Sequence, residues 1–116
     1  MLPKSQKIPT NILKDLRKKQ PKYLYKGVLF NISFYPLKDD ASSSKFMVIV
    51  PKRTVSKAVL RNLVKRQTYF VIMQGRKKFP KGYFVIVLKK DISNFSRKSL
   101  YEKIVSEFDT FLSKVP

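Results

Sequence analysis

The longest two-sided pattern of apolar and polar positions lies in the middle of the chain. Placed on a helix that turns about 100° per residue, these positions separate into two arcs. The apolar arc contains Val59, Leu60, Leu63, Val64, Gln67, Phe70 and Val71. The polar arc contains Lys57, Arg61, Asn62, Lys65, Arg66 and Thr68. The pattern predicts a basic amphipathic helix over residues 54–75, with the apolar arc buried and the polar arc exposed.

Four apolar stretches around this helix predict β-strands. They span residues 23–25, 28–35, 46–50 and 83–88. In the second stretch, apolar residues from Val28 to Phe34 alternate with a mixed set that ends at Tyr35, as in a strand with one buried face. The last two stretches are apolar without interruption, which predicts inner strands covered on both faces. They are expected to lie in one sheet, and the pattern leaves open whether they pair directly.

Two further helices and an extended arm complete the prediction. Residues 1–8 form the arm, and a short helix that carries Leu13 and Leu16 follows it. A closing helix begins near Ser96 or Ser99 and buries an apolar stripe. Its acids, Glu102, Glu107 and Asp109, are expected to face solvent. Residues 1–116 then form a single domain, an α/β two-layer sandwich of about four strands and three helices in the order αβββαβα.

Composition changes this picture in one respect, the charge. The 116 residues contain 26 Lys and Arg against 7 Asp and Glu, a net charge of +19. No acid occurs between Ala41 and Lys90, the interval that contains the central helix. Self-repulsion of this size favours a polyanionic partner, and the central helix is where it is expected to bind.

The same composition leaves little material for catalysis. Histidine and cysteine are absent, which excludes the usual general base, disulfides and thiolate metal sites. The acids form no evident pair, so no catalytic residue and no metal ligand is assigned. No apolar run reaches the roughly 20 residues of a membrane-spanning helix, and the first residues lack the apolar core of a signal peptide. A soluble cytoplasmic protein without a membrane partner is expected.

The basic arc has the spacing expected of a phosphate-binding helix. Lys57, Arg61 and Lys65 are spaced four apart, so their cations share one side. Arginine can bind phosphate oxygens with two parallel hydrogen bonds, and asparagine can contact a ribose hydroxyl or a base edge. A merely solvated basic face is the competing interpretation. It is disfavoured because the cations repel one another without a compensating acid.

Residues 53–66 resemble the signature of the bacterial ribonuclease P protein family. They read R-T-V-S-K-A-V-L-R-N-L-V-K-R, and the family pattern is roughly K-K-V-G-K-A-V-x-R-N-R-x-K-R. The chain departs from the pattern at Thr54, Ser56 and Leu63. The resemblance implies a left-handed βαβ crossover, in the fold shared with ribosomal protein S5 domain 2. It also implies a protein subunit that assists a catalytic RNA in removing the 5′ leader of precursor tRNA.

The resemblance also assigns roles to residues. It implies that the catalytic groups and the Mg²⁺ ions belong mainly to the RNA subunit, and that the chain's partners are that RNA and precursor tRNA. The implied RNA-binding residues are Arg53, Lys57, Arg61, Asn62, Lys65 and Arg66. The implied leader cleft, between the first helix and the sheet, involves Leu13, Leu16, Phe34, Tyr35 and Val48. From its position alone, Tyr35 is as compatible with packing as with stacking on a base.

Three alternatives remain open at this stage. A ribosomal or other structured-RNA-binding protein could use the same basic helix without a processing role. A helix-turn-helix DNA-binding protein would need a second short helix before Lys52, where the sequence instead has a strand-like run. A protein that is a nuclease in its own right is disfavoured by the lack of a catalytic constellation.

Overall fold

The computed structural model describes residues 7–36, 44–75 and 78–115, and its elements follow the predicted order. The helices are α1 (Thr10–Arg17), α2 (Ala58–Gly75) and α3 (Arg97–Lys114). The strands are β1 (Tyr23–Lys26), β2 (Phe30–Pro36), β3 (Lys45–Ile49) and β4 (Gly82–Leu88). The α/β class, with a four-stranded mixed sheet and three helices, is confirmed. Residues 1–6 of the predicted arm lie outside the described residues.

The sheet has the strand order β1-β2-β4-β3. Neighbouring strands are antiparallel except for β3 and β4, which pair directly and in parallel. Along the chain, α2 connects these two strands. The prediction that residues 46–50 form an inner strand is wrong, because β3 is an edge strand. Its outer edge is nevertheless covered: the Ile8 amide donates to the Phe46 carbonyl over 3.1 Å, and the Val48 amide donates to the Tyr69 hydroxyl over 3.2 Å. Such cover explains why an edge strand can be so apolar.

The core lies between one face of the sheet and the two long helices. Alternate residues of β2, β3 and β4 point to this face, and stacked rings join the three strands. The Phe34 and Phe84 ring centroids are 4.9 Å apart, and those of Phe46 and Phe84 are 5.2 Å apart. The predicted alternation of β2 holds only from Phe30 onward. Val28 is exposed and Leu29 is buried, because both lie in the bend between β1 and β2.

The prediction that the acids of α3 face solvent is wrong for Glu107, because only 7% of its surface is exposed. Its carboxylate accepts hydrogen bonds from the Leu29 amide, at 2.9 and 3.1 Å, and from the Phe30 amide, at 3.2 Å. A buried charge is tolerated where such donors replace water. Gly27 lies so close that a Cβ there would overlap the carboxylate. Burial, and after it the nearby Glu107, raises the pKa of Tyr25.

Candidate nucleic-acid interface

The basic segment begins with a loop, because α2 starts at Ala58 and not at residue 54 as predicted. Residues 51–57, here called the entry loop, connect β3 to α2. The amides of Thr54 and Val55 both donate to the Pro51 carbonyl over 3.0 Å, and the Val55 side chain is buried in the core. These contacts form a compact turn and satisfy backbone groups that a helix would otherwise pair. Arg53 and Lys57 are consequently exposed loop residues.

Arg61 holds the entry loop against the helix. Its Nη1 atom donates to the Val55 carbonyl over 3.0 Å and to the Ser56 carbonyl over 2.6 Å. The side chain is half-buried, so part of its donor capacity is used within the protein. Charge-assisted hydrogen bonds of this kind are stronger than neutral ones. The guanidinium of Arg61 therefore positions the loop that carries Arg53 and Lys57.

The other predicted residues of α2 divide between two rows, each with a spacing of four residues. Asn62 and Arg66 lie on the exposed row, which continues to Phe70. Lys65 lies with Arg61 on the neighbouring row, which leads to the buried Tyr69, and it is half-buried. The predicted basic arc is thus not one uniform face. Its most accessible members on the helix are Asn62 and Arg66.

The predicted arcs of α2 are also partly wrong. Val59 and Phe70, assigned to the buried arc, are 73% and 51% exposed, whereas Thr68, assigned to the polar arc, is fully buried. The reason is that residues 69–73 are all apolar, so hydrophobicity alone does not define which side of the helix faces the core. Packing defines the buried side instead, because the Tyr69 hydroxyl accepts a hydrogen bond from the Val48 amide on β3 and Ile72 is buried in the core.

A pocket of about 420 Å³ lies beside the entry loop. Both predicted loop cations, Arg53 and Lys57, line it together with Asp91 and Ser93 from the loop after β4. The Asp91 carboxylate accepts hydrogen bonds from the Ser93 amide, at 3.0 Å, and from the Ser93 hydroxyl, at 3.1 Å. The one acid of this pocket is therefore engaged in its own turn. An anion that enters meets two exposed cations, Arg53 and Lys57.

A second cleft, of about 570 Å³, lies on the face of the sheet opposite the core. It is lined by Leu16, Lys19, Gln20, Lys22, Tyr35, Pro36 and Tyr83. Tyr35 and Tyr83 are paired across β2 and β4, so their rings leave the sheet on the same side. Leu16, the buried residue of α1, lies in the wall opposite them. The arrangement combines two phenol rings with two exposed lysines.

Only part of the predicted leader cleft comes together here. Leu16 and Tyr35 meet in this cleft, whereas Leu13 is half-buried elsewhere on α1. Phe34 and Val48 belong to the core face, where each is 3% exposed, and this assignment is wrong. The cause is the alternation of a strand, which turns Phe34 away from the side that Tyr35 faces.

The sequence interpretation missed the other five residues that line this cleft: Lys19, Gln20, Lys22, Pro36 and Tyr83. Tyr83 becomes a partner of Tyr35 only through the pairing of β2 with β4, which is not visible in either strand alone. The lysines flank Pro21, where α1 has ended, so no periodic pattern marks them. Their position beside a proline that ends a helix was the only available signal.

Two searches of the structure complete the description of possible sites. Within residues 7–36, 44–75 and 78–115, no three His, Cys, Asp or Glu side chains lie together as a metal site would require. Across the same ranges, no helix is both long enough and apolar enough to span a membrane.

Comparison with known proteins identifies the family of the chain. The solved structure of the RNase P protein from Staphylococcus aureus is similar, with 15% identity and a TM-score of 0.76, over 95% of this chain and 94% of that chain. The RNase P protein from Thermotoga maritima is also similar, with 16% identity and a TM-score of 0.71, over 95% of this chain and 97% of that chain. At these identities the matches show the fold. No curated protein sequence gives a significant match.

The match to a family model extends the comparison from fold to family. The model described as Ribonuclease P matches residues 17–114, which include α2, the entry loop and the cleft residues on the sheet. That range is most of the chain. The chain therefore belongs to the ribonuclease P protein family, as the protein subunit of that ribonucleoprotein.

Proposed function

We propose that the entry loop and the exposed row of α2 bind the catalytic RNA of ribonuclease P. The observation that carries this proposal is a set of three exposed cations, Arg53 and Lys57 on the entry loop and Arg66 midway along α2. The nearest acid of the pocket, Asp91, is engaged by Ser93. When such cations bind phosphate, the release of counterions makes the free energy more favourable than when they remain in solvent.

Each residue has a role that follows from its position. Arg53 and Lys57 contact phosphates from the loop, and Arg66 contacts them from the helix. Asn62, beside Arg66, donates or accepts at a ribose hydroxyl or a base edge. Arg61 keeps the loop in place through its two carbonyl partners. Lys65 adds positive potential from its half-buried position without being the principal contact.

We propose further that the 5′ leader of precursor tRNA lies in the 570 Å³ cleft. A single-stranded leader exposes bases, and the rings of Tyr35 and Tyr83 offer surfaces on which bases stack. Lys19 and Lys22 lie at the same cleft and match the leader phosphates. Leu16 supplies apolar contact. Phe34 contributes only by supporting the sheet from the core side.

The chemistry of leader removal is assigned to the RNA subunit. The chain has no histidine and no cysteine, and its described acids do not form a group that suits a divalent cation. We therefore assign no Mg²⁺ ligand to this chain, and the ions that support hydrolysis are placed on the RNA. The protein's part is to bind and orient two RNAs, and the cytoplasm is the proposed compartment.

Reconstitution with the catalytic RNA of the same genome tests this function. At low magnesium, the chain is expected to raise the rate at which that RNA cleaves precursor tRNA. Replacement of Arg53, Lys57 and Arg66 by alanine should remove most of the stimulation, whereas Arg97, Lys103 and Lys114 on α3 provide a control with the same loss of charge. Equal cleavage with and without the chain would contradict the proposal. Equal affinity for unrelated structured RNAs would favour the ribosomal alternative.

A further inference from the structure

Phe70 is an aromatic residue exposed on the row of α2 that also carries Asn62 and Arg66. Half of its surface, 51%, is accessible, although its neighbours Tyr69 and Val71 turn toward the protein. It follows Arg66 by four residues, so it lies about one helical turn further along the same side. The exposed half of this ring gains nothing from packing within the protein, and it is available to a partner.

The ring of Phe70 is held in place by α3. Its centroid lies 6.2 Å from that of Tyr101, and the two rings are inclined by 45°. Both side chains are carried by 18-residue helices that pack on the sheet. The exposed face of Phe70 is thus a fixed surface, and a partner that covers it does not first have to order a loop.

Charged residues of both signs surround this ring. Arg66 lies on one side of it, on α2. On α3, Tyr101, Glu102 and Asp109 line a groove of about 430 Å³, and the exposed Arg97 and Lys98 lie one turn before Tyr101. Phosphates are favoured near Arg66 and disfavoured near the two acids of the groove, whereas a nucleobase is uncharged and can lie on the ring between them.

We propose that Phe70 is a stacking residue for an unpaired nucleotide of the RNA that binds α2. This inference rests on the proposed RNA-binding role of α2. The phosphate of that nucleotide lies against Arg66, one turn earlier, and the base covers the exposed face of the phenyl ring. Glu102 and Asp109 then mark the limit of the RNA footprint on α3. Stacking on an aromatic side chain accepts any base, so the contact selects for an unpaired nucleotide and not for a sequence.

Phe70→Trp provides a direct readout because the chain has no tryptophan of its own. An indole that stacks on a base is quenched, so the fluorescence of Phe70→Trp should fall on titration with the catalytic RNA, with wild-type affinity. Val28→Trp is the matched control: Val28 is 70% exposed and lies in the bend between β1 and β2. Its fluorescence should stay constant. If the fluorescence of Phe70→Trp, like that of Val28→Trp, stays constant at saturating RNA, the proposal is overturned.

Affinity measurements separate stacking from general packing. Phe70→Leu should weaken RNA binding at least about fivefold, with the salt dependence unchanged, because an uncharged contact is lost. Phe70→Tyr should bind like the wild type. Thermal melting of both variants, followed by circular dichroism, shows whether α2 is still folded. The proposal is overturned if a folded Phe70→Leu variant binds RNA with wild-type affinity. It is also overturned if the apparent molar mass of the wild-type chain changes with its concentration in the absence of RNA.

Failure of this inference and failure of the proposed function give different results. If Phe70→Leu has no effect while Arg66→Ala reduces the salt dependence of binding, α2 binds RNA and only the stacking contact is wrong. If neither substitution changes binding, RNA does not contact this face of α2, and both the stacking contact and the proposed role of the exposed row fail.

Discussion

Helices α2 and α3 have the same length and cover the same face of the sheet, yet they differ in where their charged residues point. Each spans 18 residues and buries one side in the core. On α3, Glu107 turns inward and holds the bend between β1 and β2. On α2, Arg61 holds the entry loop while Asn62 and Arg66 remain outside. A charge whose partners are backbone groups supports the fold, and an exposed charge without such partners is available for binding.

The largest expected effect concerns the buried charge of α3. Glu107→Ala leaves the buried amides of Leu29 and Phe30 without an acceptor, at about 1–3 kcal/mol for each group. The free energy of unfolding in urea should fall by about 3 kcal/mol in total. Asp109→Ala, two residues away and exposed, should change it by less than about 0.5 kcal/mol. Equal effects of the two substitutions would contradict the structural role of Glu107.

A second, smaller effect tests the same contact from the other side. Gly27→Ala places a Cβ where the Glu107 carboxylate lies and should cost about 1–3 kcal/mol of stability. In the double variant with Glu107→Ala the overlap is gone, so the two losses should not add. Urea unfolding of the four proteins gives the coupling energy. Additive losses would show that the glycine is required for another reason.

On α2, Arg61 should behave differently from Arg66 although both are arginines. Arg61→Ala removes two hydrogen bonds from a half-buried side chain, worth about 1 kcal/mol after discount for solvent. The entry loop, which contains Lys52, Arg53 and Lys57, should then be cleaved faster by trypsin. Arg66→Ala should leave that rate unchanged. The same cleavage rate in both variants would remove Arg61 from its positioning role.

The sequence allowed most of the fold to be predicted because apolar stretches of strand length alternate along the chain with segments of helical apolar spacing. Element order, strand number and the end of α2 at Gly75 agree with the prediction. The start of α2 was missed by four residues, because the turn that occupies 51–55 depends on hydrogen bonds to Pro51 and on burial of Val55. A helical wheel represents neither these hydrogen bonds nor this burial.

The errors in the candidate site have a common cause, contacts between elements distant in sequence. Glu107 lies three residues after Ile104 and four before Phe111, so its spacing alone places it on the buried stripe of α3. What the spacing could not show is its partners, the amides of the bend 77 or 78 residues earlier. Phe70 and Thr68 exchange their expected exposures because Tyr69 and Ile72 orient the helix toward the core. Tyr83 joins the cleft through strand pairing. Charge composition predicted the kind of partner, and packing determined which charged residues are accessible to it.

The central claim is that the exposed cations of the entry loop and of α2 bind RNA phosphates. The salt dependence of affinity for the catalytic RNA tests it most directly, because each lost phosphate contact lowers the slope of log K against log salt by about 0.7–0.9. Replacement of Arg53, Lys57 and Arg66 by alanine should lower the slope by about 2 to 3. The α3 control, with Arg97, Lys103 and Lys114 replaced, should keep the wild-type slope. Equal slopes in the two folded triple variants would contradict the claim.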